Sequence, residues 1–364
     1  MTDLFVACGE MSGDLHGAKI IEELLALRPG LTIGAVAGPN MRKLSIVEHF
    51  PMERLRVMGF VDVLLAIPKL VPCFYKIRNQ ILALNPKGVL FIDYPGLHLR
   101  MARSLRKKGY RGKLIHAICP TVWAWGKQRI PLMAAHLDLL LTLFPFEKKC
   151  FENTPLRVHY IGHPLAETVA RFRPVGKFSG NILGIFPGSR KAEIERNLPI
   201  QLKAARRLRE LDPSLKIAVS TTQFPIDAPD ALLVGPEDNY ELMQASRLSI
   251  ATSGTVTLEL ALHGTPTVVN FFIKPLDGFI AQKILRIDLP FYSLPNIVLN
   301  REVFPELFGP NLTEEKLFFW TQKLWFDPEA RKRCFEGCAE VQKSLGVQRA
   351  SLEAARSIFS CVDF

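Results

Sequence analysis

The chain is poor in features that mark several protein classes. Seven cysteines are scattered through 364 residues with no Cys-x-x-Cys pair, which speaks against a disulfide scaffold or a zinc ribbon and suits a reducing compartment. Cys334 and Cys338 share a helical pattern, where packing is the simpler role. No apolar run is clean enough for a membrane span: "VMGFVDVLLAIPKLVPCFYKI" (57–77) is interrupted by Asp62, Pro68, Lys69 and Pro72. The opening "MTDLFVACG" reads as a strand and not as a signal peptide. There is no GxSxG elbow for a nucleophilic serine, no repeat and no low-complexity tract. His159 and His163 are four apart, but "VHYIGH" reads as a strand, where that spacing is roughly 13 Å, too far for one ion. No metal site and no cofactor are expected.

Acidic residues are short in one half only. Residues 1–175 hold 24 Lys+Arg against 13 Asp+Glu, whereas residues 176–364 hold 22 of each, so the whole formal charge of +11 belongs to the first half. Between residues 69 and 113 stand eleven basic side chains and one acid, Asp93. Such asymmetry points to an anionic partner for one domain. No recognition helix, RNP or zinc-finger pattern accompanies the charge, so nucleic acid is not expected. An anionic membrane surface or a phosphorylated lipid remains.

What is present is a repeated strand–helix alternation. "LFVAC", "TIGAVAG", "GVLFID", "KLIHAIC", "LLLTLF" and "VHYIG" read as strands, with helices near 15–27, 69–84, 96–108 and 127–135. After the Pro/Gly-rich "RFRPVGKFSGN" (171–181) the pattern restarts with "ILGIFPG", "KIAVST", "ALLVG", "LSIAT" and "PTVVNF". This predicts an α/β fold of two Rossmann-like, doubly wound domains, 1–175 and 176–345. The segment 57–77 fits either a buried helix or an apolar surface that dips into a bilayer. On the second reading Val57, Met58, Phe60, Val63, Leu64, Leu65, Leu70 and Phe74 touch acyl chains, and Lys69, Lys76 and Arg78 touch headgroups.

Four stretches could carry chemistry, each with a plainer alternative. In "GEMSGDLHGA" the glycines are not spaced as GxGxxG, and Glu10 and Asp14 would repel a pyrophosphate. Ser12 and Asp14 are good helix caps. The loop also lies after a strand, where a hydroxyl-rich ligand would sit. "FIDYPGLHLR" puts Asp93 at a strand end, as a cap or as a base that neighbouring cations keep ionised. In "GIFPGSRKAEI", Gly188, Ser189 and Arg190 fit a diphosphate cradle, although Arg190 fits a solvated surface charge equally well. In "ATSGTVTLELAL", Ser253, Gly254 and Thr255 open a helix whose amides face a ligand. Glu259, a turn further on, suits a ribose diol or a plain helix surface.

Taken together, "GEMSGDLHGA", "FIDYPGLHL", "CPTVWAWGKQR", "LFPFE", "YIGHPL", "PGSRKAEI", "SGTVTLELAL" and "SLPNIVLNREVFPEL" resemble, in order, the motifs of the lipid-A-disaccharide synthase family (glycosyltransferase family 19). The resemblance covers about residues 5–310. It implies a metal-independent, inverting GT-B glycosyltransferase with two domains facing across a cleft. Its substrates would be UDP-2,3-diacylglucosamine and 2,3-diacylglucosamine 1-phosphate, and its products the β-1,6-linked lipid A disaccharide 1-phosphate and UDP. By matching motif, Asp93 would be the general base and Arg190 would hold the diphosphate. Glu259 would bind the ribose, and Ser253, Gly254 and Thr255 would offer amides to the leaving group. Asn296 would contact donor or diphosphate, and Glu10, Ser12, Gly13 and Asp14 would line the sugar side. The family is peripheral on the cytoplasmic face of the inner membrane. In GT-B enzymes the last helix, here within 346–364, packs back on the first domain, and in this family it can be exchanged in a homodimer. Asp62 replaces the family's usual glutamate, Phe308-Gly309 stands where a glutamine is usual, and Gly126 replaces a basic residue. Two alternatives remain: another UDP-sugar enzyme such as an undecaprenyl-linked transferase or a UDP-GlcNAc 2-epimerase, and a catalytically inactive lipid- or nucleotide-binding homologue.

Overall fold

Short runs that are apolar on both faces must be covered on both sides, and the computed structural model places them in two parallel sheets. The structure describes residues 2–55, 60–273 and 289–364, with the backbone alone for 60–67. Two compact units divide the chain: Met1–Pro164 with Gln348–Phe364, and Leu165–Val347.

The first unit runs β1 (Leu4–Cys8), α1 (Met11–Leu27), β2 (Ile33–Ala37), β3 (Val47–Pro51), α2 (Phe60–Leu84), β4 (Gly88–Ile92), α3 (Pro95–Lys107), β5 (Lys113–Ala117), α4 (Arg129–His136), β6 (Leu139–Thr142) and β7 (Arg157–Tyr160). Its strands are ordered β3-β2-β1-β4-β5-β6-β7, and every pairing is parallel. The second unit runs α5 (Pro164–Arg171), β8 (Ile182–Phe186), α6 (Lys191–Leu211), β9 (Lys216–Ser220), β10 (Leu232–Val234), α7 (Asn239–Ala245), β11 (Ser246–Thr252), α8 (Thr255–Leu262), β12 (Thr267–Phe271), α9 (Leu294–Leu299), β13 (Glu306–Phe308), α10 (Glu314–Phe326) and α11 (Pro328–Leu345). Its order is β10-β9-β8-β11-β12-β13, again parallel. Each sheet therefore reverses direction of winding once, between β1 and β4 and between β8 and β11. At such a switch point the flanking loops diverge and leave room for a ligand beyond the carboxyl ends of the strands.

The central strands β1, β4 and β8 are buried throughout. Phe5, Phe91, Ile21 and Leu24 fill the first core, each contributing about 1.5–3 kcal/mol by leaving water. The last helix, α12 (Ala350–Cys361), belongs to the first unit and packs on α1. Its Ala354, Ala355 and Ile358 are fully buried, and small alanines let the two helices approach closely. Val362 lies against Gly88, where a Cβ would come within 2.9 Å of it.

The boundary expected at 175 falls instead at Pro164–Leu165. The stretch after α5 is tied to the second unit: the Val175, Gly176 and Lys177 amides donate to the Glu241 carboxylate at 2.6, 3.2 and 3.3 Å. Phe172 packs edge-on against Tyr240 and His263.

Candidate active site

At the first switch point, β1 ends in Gly9-Glu10 and β4 ends in Asp93-Tyr94. Asp93 and Tyr94 both take left-handed backbone conformations, with φ of 50° and 49°. Two consecutive non-glycine residues there are strained, and the neighbours hold them in place. The Asp93 amide donates to the Ala117 carbonyl at the end of β5 (3.0 Å). The Asp93 carbonyl accepts from His98 Nδ1 at 2.7 Å, and the Tyr94 hydroxyl donates to the Leu55 carbonyl at 3.1 Å. His98 is buried against Phe91, and burial pushes its imidazole down to about 4, so the neutral form holds Asp93.

Burial raises the Asp93 carboxyl above its ordinary range. The cations expected to keep it ionised do not govern it: Arg100, Arg103 and Lys107 lie on the exposed face of α3. Its charged neighbour is Glu10, itself raised by burial and by the Asp93 charge. Two carboxyls that repel one another and are partly shielded from water make better proton acceptors than free ones. Ser12 is exposed beside Glu10.

Asp14 and Gly13 do not join this site. Asp14 is fully buried, and its carboxylate accepts from the amides of Gly38 (3.0 Å), Asn40 (2.7 Å) and Met41 (3.1 Å) and from Asn40 Nδ2 (3.0 Å). It fixes the turn after β2 and has no exposed surface for a sugar. Gly13 is buried against Cys8 and the Ile92 carbonyl, where its missing side chain lets α1 lie close on the sheet.

At the second switch point a cavity of about 590 Å³ opens. It is lined by Gly188, Ser189, Ser253, Gly254, Thr255 and Glu259, which come from the ends of β8 and β11 and the first turns of the helices that follow. Gly188 has φ of 108°, which favours glycine. The N-cap of α8 is Gly254, which has no side chain to close the turn, so the first turn of the helix presents open amides to the cavity. The Ser253 amide, expected among them, instead donates to the Asn270 carbonyl at 3.0 Å, continuing the β11–β12 pairing. The α6 end differs. Glu193 accepts from the Ser189 and Arg190 amides at 3.1 and 3.3 Å and from the Arg190 guanidinium at 2.7 Å. Two amides expected to serve a diphosphate are thus capped by a carboxylate, and the Arg190 side chain, exposed and paired with the same Glu193, is not among the residues that line the cavity.

Burial raises the Glu259 carboxyl, and a hydrogen bond from the Tyr240 hydroxyl (3.0 Å) partly offsets this. Asn296, expected at the donor, is fully buried and satisfied within its own loop. Its Nδ2 donates to the Phe304 carbonyl and to Glu306, both at 2.8 Å, and its Oδ1 accepts from the Val303 and Phe304 amides. It shapes the loop and does not line the cavity. Thr221, Thr222, Gln223, Pro236, Asn239, Tyr240 and Met243 also line it and were missed. They lie after β9 and β10, in stretches without glycine-rich signals.

The motifs "CPTVWAW", "LFPFE" and "YIGHPL" meet in the first unit. Trp123 stacks edge-on against Phe146, and Phe144 packs on Phe146 and His163. Beneath them Glu147 accepts from the Leu143 and Phe144 amides, and burial pushes its carboxyl up to about 7.

Of the expected membrane-facing residues, Val57 and Met58 lie outside the described residues, and Phe60, Val63, Leu64 and Leu65 lie in α2 with only their backbone described. Leu70 and Phe74 pack against the core, a correction that follows from the helical period: with Cys73, Ile77 and Ile81 they form the inner face. The outer face carries Lys69, Val71, Tyr75 and Lys76, while Arg78 stacks on Tyr75 and reaches Ser104. No helix among the described residues is long and apolar enough to cross a membrane. No cluster of three or more His, Cys, Asp or Glu among the described residues is placed to hold a metal.

The architecture is that of the GT-B glycosyltransferases and nucleotide-sugar epimerases. A structure described as a putative UDP-N-acetylglucosamine 2-epimerase from Listeria monocytogenes superposes with a TM-score of 0.65 at 13% identity, covering 98% of this chain and 96% of that one. The UDP-GlcNAc 2-epimerase from Neisseria meningitidis, solved bound to UDP-GlcNAc, gives 0.62 at 12% identity over 99% of this chain and 100% of that one. At such identities the likeness is one of fold alone. The chain belongs to the lipid-A-disaccharide synthetase family, whose model matches residues 4–357. The lipid-A-disaccharide synthase of Chlamydia trachomatis serovar D is 38% identical over 84% of this chain and 53% of its own length. That of Geobacter sulfurreducens is 31% identical over 97% of this chain and 95% of its own length. The chain thus spans about half the length of the chlamydial relatives.

Proposed function

We propose that the protein transfers the diacylglucosaminyl group of UDP-2,3-diacylglucosamine to the 6-hydroxyl of 2,3-diacylglucosamine 1-phosphate, with inversion at the anomeric carbon. The observation that carries this reading is family membership across residues 4–357 together with an intact Asp93, Arg190 and Glu259. The acceptor's 6-oxygen attacks the anomeric carbon as the bond from that carbon to the diphosphate oxygen breaks. The hydroxyl proton passes to Asp93, and the electron pair leaves with UDP. A single displacement of this kind gives the β-1,6 linkage.

Each group has a task that its geometry suits. The raised carboxyl of Asp93 accepts a proton in the transition state, and Glu10 beside it orients the acceptor hydroxyl. Glu259, in the lining of the cavity, accepts from the ribose. The amides of Gly254 and Thr255 line the cavity where charge develops on the leaving diphosphate, and the Arg190 guanidinium, paired with Glu193 just outside that lining, is the cation at hand. No metal is needed for that role. The exposed basic and apolar residues of α2 meet the anionic surface of the membrane that holds the acyl chains, on its cytoplasmic face.

The test is a direct assay. Purified protein in mild detergent with EDTA is given both substrates, and UDP and disaccharide are followed by mass spectrometry. Disaccharide formed with chelator present supports the reaction and its metal-free course. UDP binding without product, using correctly acylated substrates, sinks the proposed transfer, and strict dependence on added Mg²⁺ sinks the account of the leaving group.

A further inference from the structure

Glu259 is not free to turn in its cavity. Its Oε1 accepts from the Tyr240 hydroxyl at 3.0 Å, and the two residues line the same cavity from α7 and α8. Tyr240 is in turn held by two neighbouring rings. Its ring packs tilted on His263 with centroids 4.9 Å apart, and Phe172 meets it edge-on at 5.5 Å. Phe172 also meets His263 edge-on at 5.5 Å, which closes a three-ring cluster. His263 caps the C-terminus of α8, and its amide donates to the Glu259 carbonyl at 2.9 Å. The carboxylate and the ring that holds it are thus anchored to the same short helix.

We infer that Tyr240 is a positioning residue for the sugar part of the nucleotide: it occupies one carboxylate oxygen of Glu259 and turns the other toward a ribose hydroxyl. The inference rests on the proposed donor site and adds to it a residue outside the recognisable motifs. A carboxylate held by one fixed donor keeps Oε2 open and loses little rotational freedom when a ligand arrives, so the ligand's hydroxyl meets a prepared acceptor. Without the phenol oxygen, Glu259 would have to be ordered by the nucleotide itself. The ring cluster would remain, because Phe keeps the ring and removes only the donor.

The experiment is calorimetric binding of UDP and of 2′,3′-dideoxy-UDP to the full chain and to Tyr240→Phe. For the unaltered chain, tighter binding of UDP than of the dideoxy analogue is expected. Tyr240→Phe should weaken UDP by roughly 5–10-fold and leave the dideoxy analogue unchanged, which narrows the gap between the two ligands. Glu259→Gln should narrow it too, and combining the two changes should add little to either alone. Equal loss for both ligands would mean that Tyr240 merely shapes the cavity, and no loss for either would mean that it does not position Glu259; each overturns the inference. If the unaltered chain binds no UDP, the donor-site reading itself fails.

Discussion

The ring of Tyr94 lies directly on the α-carbon of Gly9, so that any side chain at position 9 would occupy the place of the ring. This contact joins the loop after β1 to the loop after β4, and Asp93 is the residue next to it. Gly9→Ala should push Tyr94 aside and misplace Asp93. We expect turnover to fall by roughly 10–100-fold while UDP affinity, measured by calorimetry, stays as it was. An alanine variant with full turnover would show that the contact does not set Asp93.

Asp93→Asn keeps the shape of the loop and removes the proton acceptor. Turnover should drop by about 100–10,000-fold with UDP binding intact. Because burial raises the Asp93 carboxyl, the acid limb of kcat/KM should lie above the ordinary carboxylate range. Substantial surviving turnover would remove Asp93 from the role of base.

Asp14 gives a prediction about stability instead. Asp14→Ala leaves three backbone amides and the Asn40 side chain without their acceptor in a closed site. A loss of at least about 3 kcal/mol is expected, seen as a fall of roughly 6–12 °C in Tm. A change of a degree or less would mean that the turn after β2 finds other partners.

Acid should weaken the first unit through its buried histidines. His98 and His163 are pushed down to about 4, and His116 to about 3, each chiefly by burial. Between pH 6.5 and 4 the unfolded chain binds these protons and the folded chain does not. Stability is therefore complete above pH 6.5 and falls as pH drops, by up to about 1.4 kcal/mol per pH unit for each group within its window. Denaturation midpoints from pH 7 to pH 4.5 measure the slope, and His98→Gln should flatten it. A slope that His98→Gln leaves unchanged would count against the buried neutral form.

Charge on the outer face of α2 should govern contact with lipid. Lys69→Glu with Lys76→Glu should lower binding to vesicles containing anionic phospholipid by at least about tenfold, and raised salt should mimic the change. Unchanged co-sedimentation would place the contact surface elsewhere.

The central strands were readable because burial on both faces demands unbroken apolar runs such as Leu4–Cys8 and Ile182–Phe186. The edge strands β3 and β13 were not. Val47 and Glu48 of β3 are exposed, and β13 is three residues long, so neither gives a run to notice. Asp93 and Glu259 could be picked out because a carboxylate at a strand end or a turn into a helix is conspicuous. The burial of Asp14 and Asn296 could not, since each is satisfied by backbone amides that only the folded loops bring near. Tyr240 escaped for a similar reason: one tyrosine in a polar helix gives no hint that its hydroxyl meets Glu259, nineteen residues on.

The composition of the first unit, Met1–Pro164 with Gln348–Phe364, bears on how the chain is made. Its closing helix leaves the ribosome only after all of Leu165–Val347 has been synthesised, which takes on the order of 10–40 s at roughly 5–20 residues per second. Until then α1, packed on β1 and β4, lacks the cover of α12. The second unit is contiguous and can close as soon as it emerges. The order of completion is thus the reverse of the order of synthesis: the half that begins first finishes last.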